Sequence, residues 1–361
     1  MASRPEGRFV LEQFGLQFMP LAEGVGHFLR EIAGGLPAAE VILTEQAFCE
    51  AAGPVRQATA AALPPQPTAS PLADGSRGSL VATVATEGTV SHVGFQLDPT
   101  QDQFLLQHTQ YGRPLLPAVM AAELLAQAVR AAGLVETVQE LREVQIERPV
   151  NFPTDRQRTV EVRVGPENGP SVAAVGWAPV LNAAGQPAGE PRPHISGRVV
   201  IGPAESITRQ LDEQPFPFNP MVYQEDAPLH HGRAFRTLSG LFLDRSGGWA
   251  RLTAPDPNVV AASRGAAGWT VPIALLDGCI VGCAVYSYIL LGKRVEVPLR
   301  FERLRMVAQP QVAEACTLRL FYRQHDAQET VYDFTLYGDD GQPLLALDGL
   351  HLAVVPSREA R

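Results

Sequence analysis

Positive charge is scarce in this sequence. Lys and Arg number 29 against 38 Asp and Glu, giving a formal net charge of −9 over 361 residues. A nucleic-acid surface needs clustered cations to displace counterions from phosphate, so the balance argues against that class of partner. Cysteine is scarcer still. The four, Cys49, Cys279, Cys283 and Cys316, fit neither a disulfide framework nor a CxxC zinc pair. Cys279 and Cys283 lie four apart in an apolar run and read as packed core thiols. The first nine residues are polar and charged, unlike a secretory signal. A reducing, cytoplasmic setting is expected. Adjacent His230 and His231 point differently on any regular element, and only Asp226 stands near them at ligand spacing, so no metal site is expected.

What the chain has is apolar content. Hydrophobic residues make up 45% and charged residues 19%, enough for a sizeable core and against global disorder. One run, residues 271–291, is nearly all apolar and long enough to span a bilayer. It carries Asp277, Gly278, Gly282 and Ser287, however, and a charge at mid-span costs about 3 kcal/mol. Pro272 opens it, as suits a first helical turn. A helix apolar on all sides is equally one wrapped by a sheet, which is the expectation here.

Residues 21–33 read as a helix and 40–44 as a strand, with Gly34 and Gly35 as the helix stop. From residue 53 to 79 the composition turns to Ala, Pro, Ser and Gly, that of a linker. This divides the chain into 1–52, a linker 53–79, and two further units, 80–205 and 206–356. The last two repeat each other. Pro117 opens a helix reaching Gly133, and Pro272 opens one reaching Gly292. Strand-like runs follow in matching order: 141–152 and 295–306, 159–164 and 317–323, 171–177 and 330–337, 194–201 and 347–355. Gly185-Gln186-Pro187 and Gly341-Gln342-Pro343 punctuate both copies. One long apolar helix followed by four strands, with further strands before it, can bury its whole surface only inside a curved antiparallel sheet. The expected class is α+β, a double hotdog: two antiparallel sheets, each wrapping a long apolar helix.

Two places can carry chemistry. His108 lies nine residues before Pro117, on the stretch feeding the helix N-terminus, where free N–H groups and the helix dipole gather. A thioester carbonyl placed there would have its developing enolate stabilised while the imidazole took the α-proton. Gly112 would let the backbone approach the acyl group. An ordinary loop histidine and a turn glycine are the plainer alternative. Asp277 is the only charge in its 21-residue apolar run, and desolvation favours the neutral carboxyl, a proton donor. A carboxylate complementing the helix dipole is the alternative there. Base and acid together are what elimination of water from a β-hydroxyacyl group requires.

At these residues the sequence resembles the dehydratase domains of polyketide synthases and of polyunsaturated fatty-acid synthases. The pattern HxxxGxxxxP is met by His108, Gly112 and Pro117, and Asp277 falls on the family's catalytic aspartate. A second motif, YGPxF, appears altered as His231-Gly232-Arg233-Ala234-Phe235. The resemblance spans about residues 80–356. It implies dehydration of a β-hydroxyacyl-(acyl carrier protein) to the 2-enoyl product, in polyketide or fatty-acid biosynthesis. His108 would be the base and Asp277 the acid. Gly112, Pro117, His231, Gly232, Phe235 and Val281 would contact substrate. No cofactor is implied beyond the phosphopantetheine of an acyl carrier protein. The implied partners are that carrier and other synthase domains, and a homodimer is compatible. Val281 departs from the family's usual Gln or His four residues after the aspartate, removing a polar contact to the β-hydroxyl. A product-template-like cyclase, or a catalytically impaired acyl-binding or dimerisation hotdog, are the other readings. Residues 19–45 resemble the end of a synthase ketoreductase domain. They carry no Gly-rich fingerprint, so no NADPH binding is expected there, and a plain helix-strand cap is the alternative.

Overall fold

A computed structural model describes residues 70–71, 80–167, 169–182, 184–215, 217–221, 223, 229–293 and 296–354. All fall within one compact unit that starts at Pro67. The ketoreductase-like segment 19–45, nearly all of the linker and Cys49 lie outside the described residues.

The first half opens with β1 (Ser70–Pro71), β2 (Val81–Glu87) and β3 (Val90–Leu97). A short hairpin follows, β4 (His108–Gln110) and β5 (Arg113–Pro114), and then the long helix α1 (Ala118–Ala131). It closes with β6 (Glu140–Ile146), β7 (Arg158–Pro166), β8 (Ser171–Ala178) and β9 (Arg192–Val200). The second half has the same plan. β10 (Asn219–Pro220), β11 (Leu229–His231), β12 (Leu238–Asp244) and β13 (Gly247–Thr253) precede the helix α2 (Ile273–Leu290). Then come β14 (Glu296–Met306), β15 (Ala315–His325), β16 (Glu329–Tyr337) and β17 (Pro343–Val354).

The duplication is exact in strand order. The first six-stranded half runs β2-β3-β7-β8-β9-β6 and the second β12-β13-β15-β16-β17-β14, with β1 and β10 added on the corresponding outer edges. Every pairing is antiparallel. Helix α1 contacts all six strands of its half, and α2 contacts β12 to β16 of its own. Each helix can therefore be apolar over most of its surface without facing water. All residues from Val119 to Val129 of α1 are buried. In α2 the unbroken buried run is Ile273 to Ile280, and Cys279 and Cys283 are free, fully buried thiols. By length and composition α2 is also the one described helix long and apolar enough to cross a membrane, at a mean hydropathy of 1.9. Its burial under the second-half sheet is what accounts for that apolarity here.

The two expected sheets are joined. β6 and β14, the inner edges of the halves, pair with each other along Leu141↔Leu304 and Val144↔Phe301, giving one continuous 14-stranded sheet. The stretch from 202 to 215 that links the halves has no regular structure. It is tied to the face of the second half opposite the core. Arg209 pairs with Asp348 at 2.6 Å, Asp212 accepts from Arg319 at 3.1 Å, and Glu205 meets Arg303 at 3.1 Å.

Candidate active site

A second, three-stranded sheet, β11-β4-β5, brings the halves together over the chemistry. The β4–β5 hairpin turns through Tyr111 and Gly112, whose φ values of 50° and 74° are those of a two-residue type I′ turn. Beyond it the chain continues through Leu115 and Leu116 into α1. On the other side of β4 lies β11 from the second half, with His231 opposite His108. His108 thus sits on a short strand, not on a loop.

Its ring is buried. Nδ1 lies 3.2 Å from the Leu115 carbonyl oxygen, a contact that needs Nδ1–H as donor and leaves the Nε2 lone pair free. The edge of Phe235 packs against it with ring centroids 5.8 Å apart, and His231 does so at 5.2 Å. Burial drives the His108 pKa down to about 4. A charge on Asp277 would pull the other way without overcoming burial. At neutral pH the imidazole is uncharged and able to accept a proton.

Asp277 enters from α2. Its Oδ1 stands 4.0 Å from His108 Nε2, and its Oδ2 stands 3.3 Å from His231 Nε2. Asp277 as a whole is 5% exposed. Oδ2 is buried with no hydrogen bond, because the approach of His231 meets the distance but not the alignment of one. An oxygen in that position has capacity for a ligand's hydroxyl.

These groups open on a cavity of about 980 Å³. Most of its wall is apolar, with Leu115, Ile146, Leu241, Val281, Val285 and Leu299 among the lining side chains. It runs along one face of α2 toward the exposed Tyr288 and Ile289. At the other helix, Pro117, Ala118 and Ala121 bring the start of α1 to the cavity, and no side chain caps that N-terminus. The free N–H groups and positive dipole end of α1 therefore adjoin the chamber.

The residues singled out from sequence divide in two. His108, Pro117, His231, Asp277 and Val281 all line the cavity. Gly112, Gly232 and Phe235 are not among its lining residues. Gly112 is used up by the exposed hairpin turn, where its positive φ is required. Gly232 donates its N–H to Gln107 O at 2.7 Å, and a Cβ there would fall 2.7 Å from the Gln107 Cβ. Phe235 is fully buried behind the His108 ring. Sequence spacing offered the histidine pair only Asp226; the fold adds Asp277, whose Oδ2 stands 3.3 Å from His231 Nε2. The ligand atoms of His108, His231 and Asp277 lie within 4.8 Å of one another. That is a donor set of metal-binding type, though wider than an ion bonded at about 2 Å to each would draw them.

Tyr223 was missed. It lines the cavity, its hydroxyl accepts from Leu238 N at 3.2 Å, and burial raises its pKa. No pattern around it in sequence marks it; only the fold places it beside His231, at 6.3 Å between ring centroids.

Two family models match the chain. "Polyketide synthase dehydratase domain" covers residues 80–175, and "Polyketide synthase dehydratase N-terminal domain" covers residues 212–361. The chain belongs to the polyketide synthase dehydratase family, and dehydration of a β-hydroxyacyl thioester is its class of reaction. No curated protein matches it in sequence. Among solved structures, the dehydratase domain from the CurF module of curacin polyketide synthase aligns with a TM-score of 0.62 at 16% identity, over 77% of this chain and 98% of that one. The dehydratase domain of RzxB from Pseudomonas fluorescens gives 0.60 at 18%, over 76% and 98%. A bifunctional dehydratase-cyclase domain in ambruticin biosynthesis gives 0.59 at 18%, over 77% and 96%. At these identities the likeness is one of fold.

Proposed function

We propose that the substrate is a β-hydroxyacyl group held as a thioester on the phosphopantetheine of an acyl carrier protein, with His108 as base and Asp277 as acid. The observation that carries this reading is the pairing of an uncharged buried imidazole with a buried carboxyl whose Oδ2 lacks a hydrogen bond, across one apolar cavity.

The substrate enters the chamber with its thioester carbonyl at the start of α1. There, developing negative charge on oxygen meets uncapped N–H groups. His108 Nε2 takes the α-proton as the Cα–H bond breaks. Those electrons form the Cα–Cβ double bond, and the Cβ–O bond breaks. The departing hydroxyl takes the proton of Asp277 and leaves as water. The imidazolium and carboxylate that remain face each other across 4.0 Å, and proton return between them resets the site. The N-terminus of α1 takes over the carbonyl contact expected of Gly112. Phe235 keeps the His108 ring in place from behind.

Incubation with a 3-hydroxyacyl carrier protein, followed by mass spectrometry, tests the reading. Loss of one water is expected. An unchanged mass would reject it, and a cyclised product would favour the cyclase alternative.

A further inference from the structure

We propose that Glu123 is a positioning residue for the dehydration chemistry. Its buried carboxylate grips the backbone entering α2 and so sets where Asp277 stands. The inference rests on the dehydratase reading above.

Glu123 lies in the middle of α1, is 0% exposed and does not line the cavity. It touches no substrate. Burying a carboxylate so completely is costly unless it is fully hydrogen-bonded. Here it is. Oε2 accepts from Val271 N at 2.8 Å and Thr270 N at 3.0 Å; Oε1 accepts from Gln127 Nε2 at 2.7 Å. The direction of the Gln127 amide is fixed in turn, because its Oε1 accepts from Leu80 N at 2.9 Å. Its Nε2 must therefore donate to Glu123. Every group facing the carboxylate is a donor, so a proton on Glu123 would find no acceptor.

The backbone it holds is the approach to α2. Thr270 and Val271 immediately precede the N-cap, Pro272, which has no side-chain cap of its own. Asp277 follows six residues after Val271, about 9 Å along a helix. A shift at the entry is carried to the carboxyl as a rigid displacement.

The duplication makes the assignment sharper. Glu123 stands six residues after Pro117, and Asp277 five after Pro272. The two repeats thus place a carboxyl at nearly the same point of each central helix. One has an oxygen without a hydrogen bond, facing a cavity; the other is saturated by backbone and amide. The first is free for chemistry and the second is spent on holding the first in place.

Burial pushes the Glu123 carboxyl up to about 7, against its hydrogen bonds and the charge of Arg130. Arg130, two turns further along α1, bonds the Gly268 carbonyl in the same entering segment. The grip is therefore strongest above neutrality and loosens as pH falls and Glu123 takes a proton.

Glu123→Gln is the test, because it keeps size while setting an amide N–H against another donor. Hydrogen exchange of the wild-type and variant full chain is read at residues 268–279, with no substrate needed. Turnover of a 3-hydroxyacyl carrier-protein thioester is read beside it. Faster exchange at Thr270 and Val271 is expected, with kcat down about 10²-fold, as for a displaced catalytic group, and KM unchanged. The acid limb of the kcat profile near pH 7 should disappear. In the double exchange Glu123→Gln with Gln127→Glu every donor again meets an acceptor, and exchange and kcat should both recover. Wild-type exchange and kcat in Glu123→Gln would overturn the proposal, as would a loss of kcat with unchanged exchange. Wild-type protein that turns over no substrate rejects the dehydratase reading instead, and the exchange result still decides the grip.

Discussion

His108 and His231 stand directly opposite each other on a two-strand antiparallel ladder, one from each half of the chain. Their side chains flank the two oxygens of Asp277, at 4.0 Å and 3.3 Å. The site is therefore assembled from three separate elements and exists only when both halves are folded together.

Removing the base or the acid should stop the reaction and spare the fold. His108→Ala and Asp277→Asn are each expected to lower turnover of a 3-hydroxyacyl carrier-protein substrate by about 10²–10⁴-fold, the usual contribution of general acid–base catalysis. Asp277→Asn keeps the shape and lacks the transferable proton. Near-wild-type rates in either variant, measured by mass, would end the role assignment.

His231 bears on Asp277 rather than on the fold at large. His231→Phe keeps a ring against His108 but removes the nitrogen facing Oδ2. Its kcat is expected to fall several-fold, less than the roughly tenfold that a well-aligned hydrogen bond to a charged or reacting group is worth, because the contact has the distance but not the alignment of one, with His231→Gln retaining more. Equal rates for wild type and the Phe variant would show that the contact is idle.

The pH dependence of stability has a definite sign at His108. Its pKa falls from 6.5 unfolded to about 4 folded, so the unfolded chain binds the extra proton between those values. The group's contribution is complete above about pH 6.5 and is lost as pH falls toward 4. Urea unfolding of His108→Phe should depend less on pH across that window than wild type. A parallel pair of curves would contradict the buried, neutral imidazole.

Val281, one turn after Asp277, adds no polar atom to the cavity wall. Val281→Gln offers the β-hydroxyl a partner on the same helix face. One net hydrogen bond is worth about 0.5–1.5 kcal/mol, so kcat should rise several-fold. A decrease would mean that an apolar wall is what this substrate needs.

The seam between halves is a packing joint. Leu304 is fully buried there, opposite Leu141. Leu304→Ala should cost about 2–5 kcal/mol, read as a single lowered melting transition. Two separate transitions would show that the halves unfold independently.

Much of the fold was legible because its signals are local or repeated. Pro117 and Pro272 open helices that begin at Ala118 and Ile273, and Gly133 and Gly292 lie just beyond them. The strand runs were found within a few residues, the longest miss being β6, which ends at Ile146 and not at 152. Asp277 stood out because a lone charge in an apolar helix has few explanations. What stayed hidden depends on long-range pairing. β4 and β11 are three residues each, too short to show a period, so nothing local set His231 opposite His108. The motif pattern drew Gly112 toward the substrate, but its spacing serves equally well for a two-residue turn. Nothing local marks Glu123, since its partners Thr270 and Val271 belong to the other repeat.

Because β6 and β14 are each other's neighbour at the seam, neither half has a finished sheet by itself. A chain cut in the 202–215 link would leave each fragment with a long bare strand, β14 alone spanning 11 residues, open to pairing with any copy of itself. Expressed apart, the fragments should aggregate; expressed together, they should find each other and restore one soluble body.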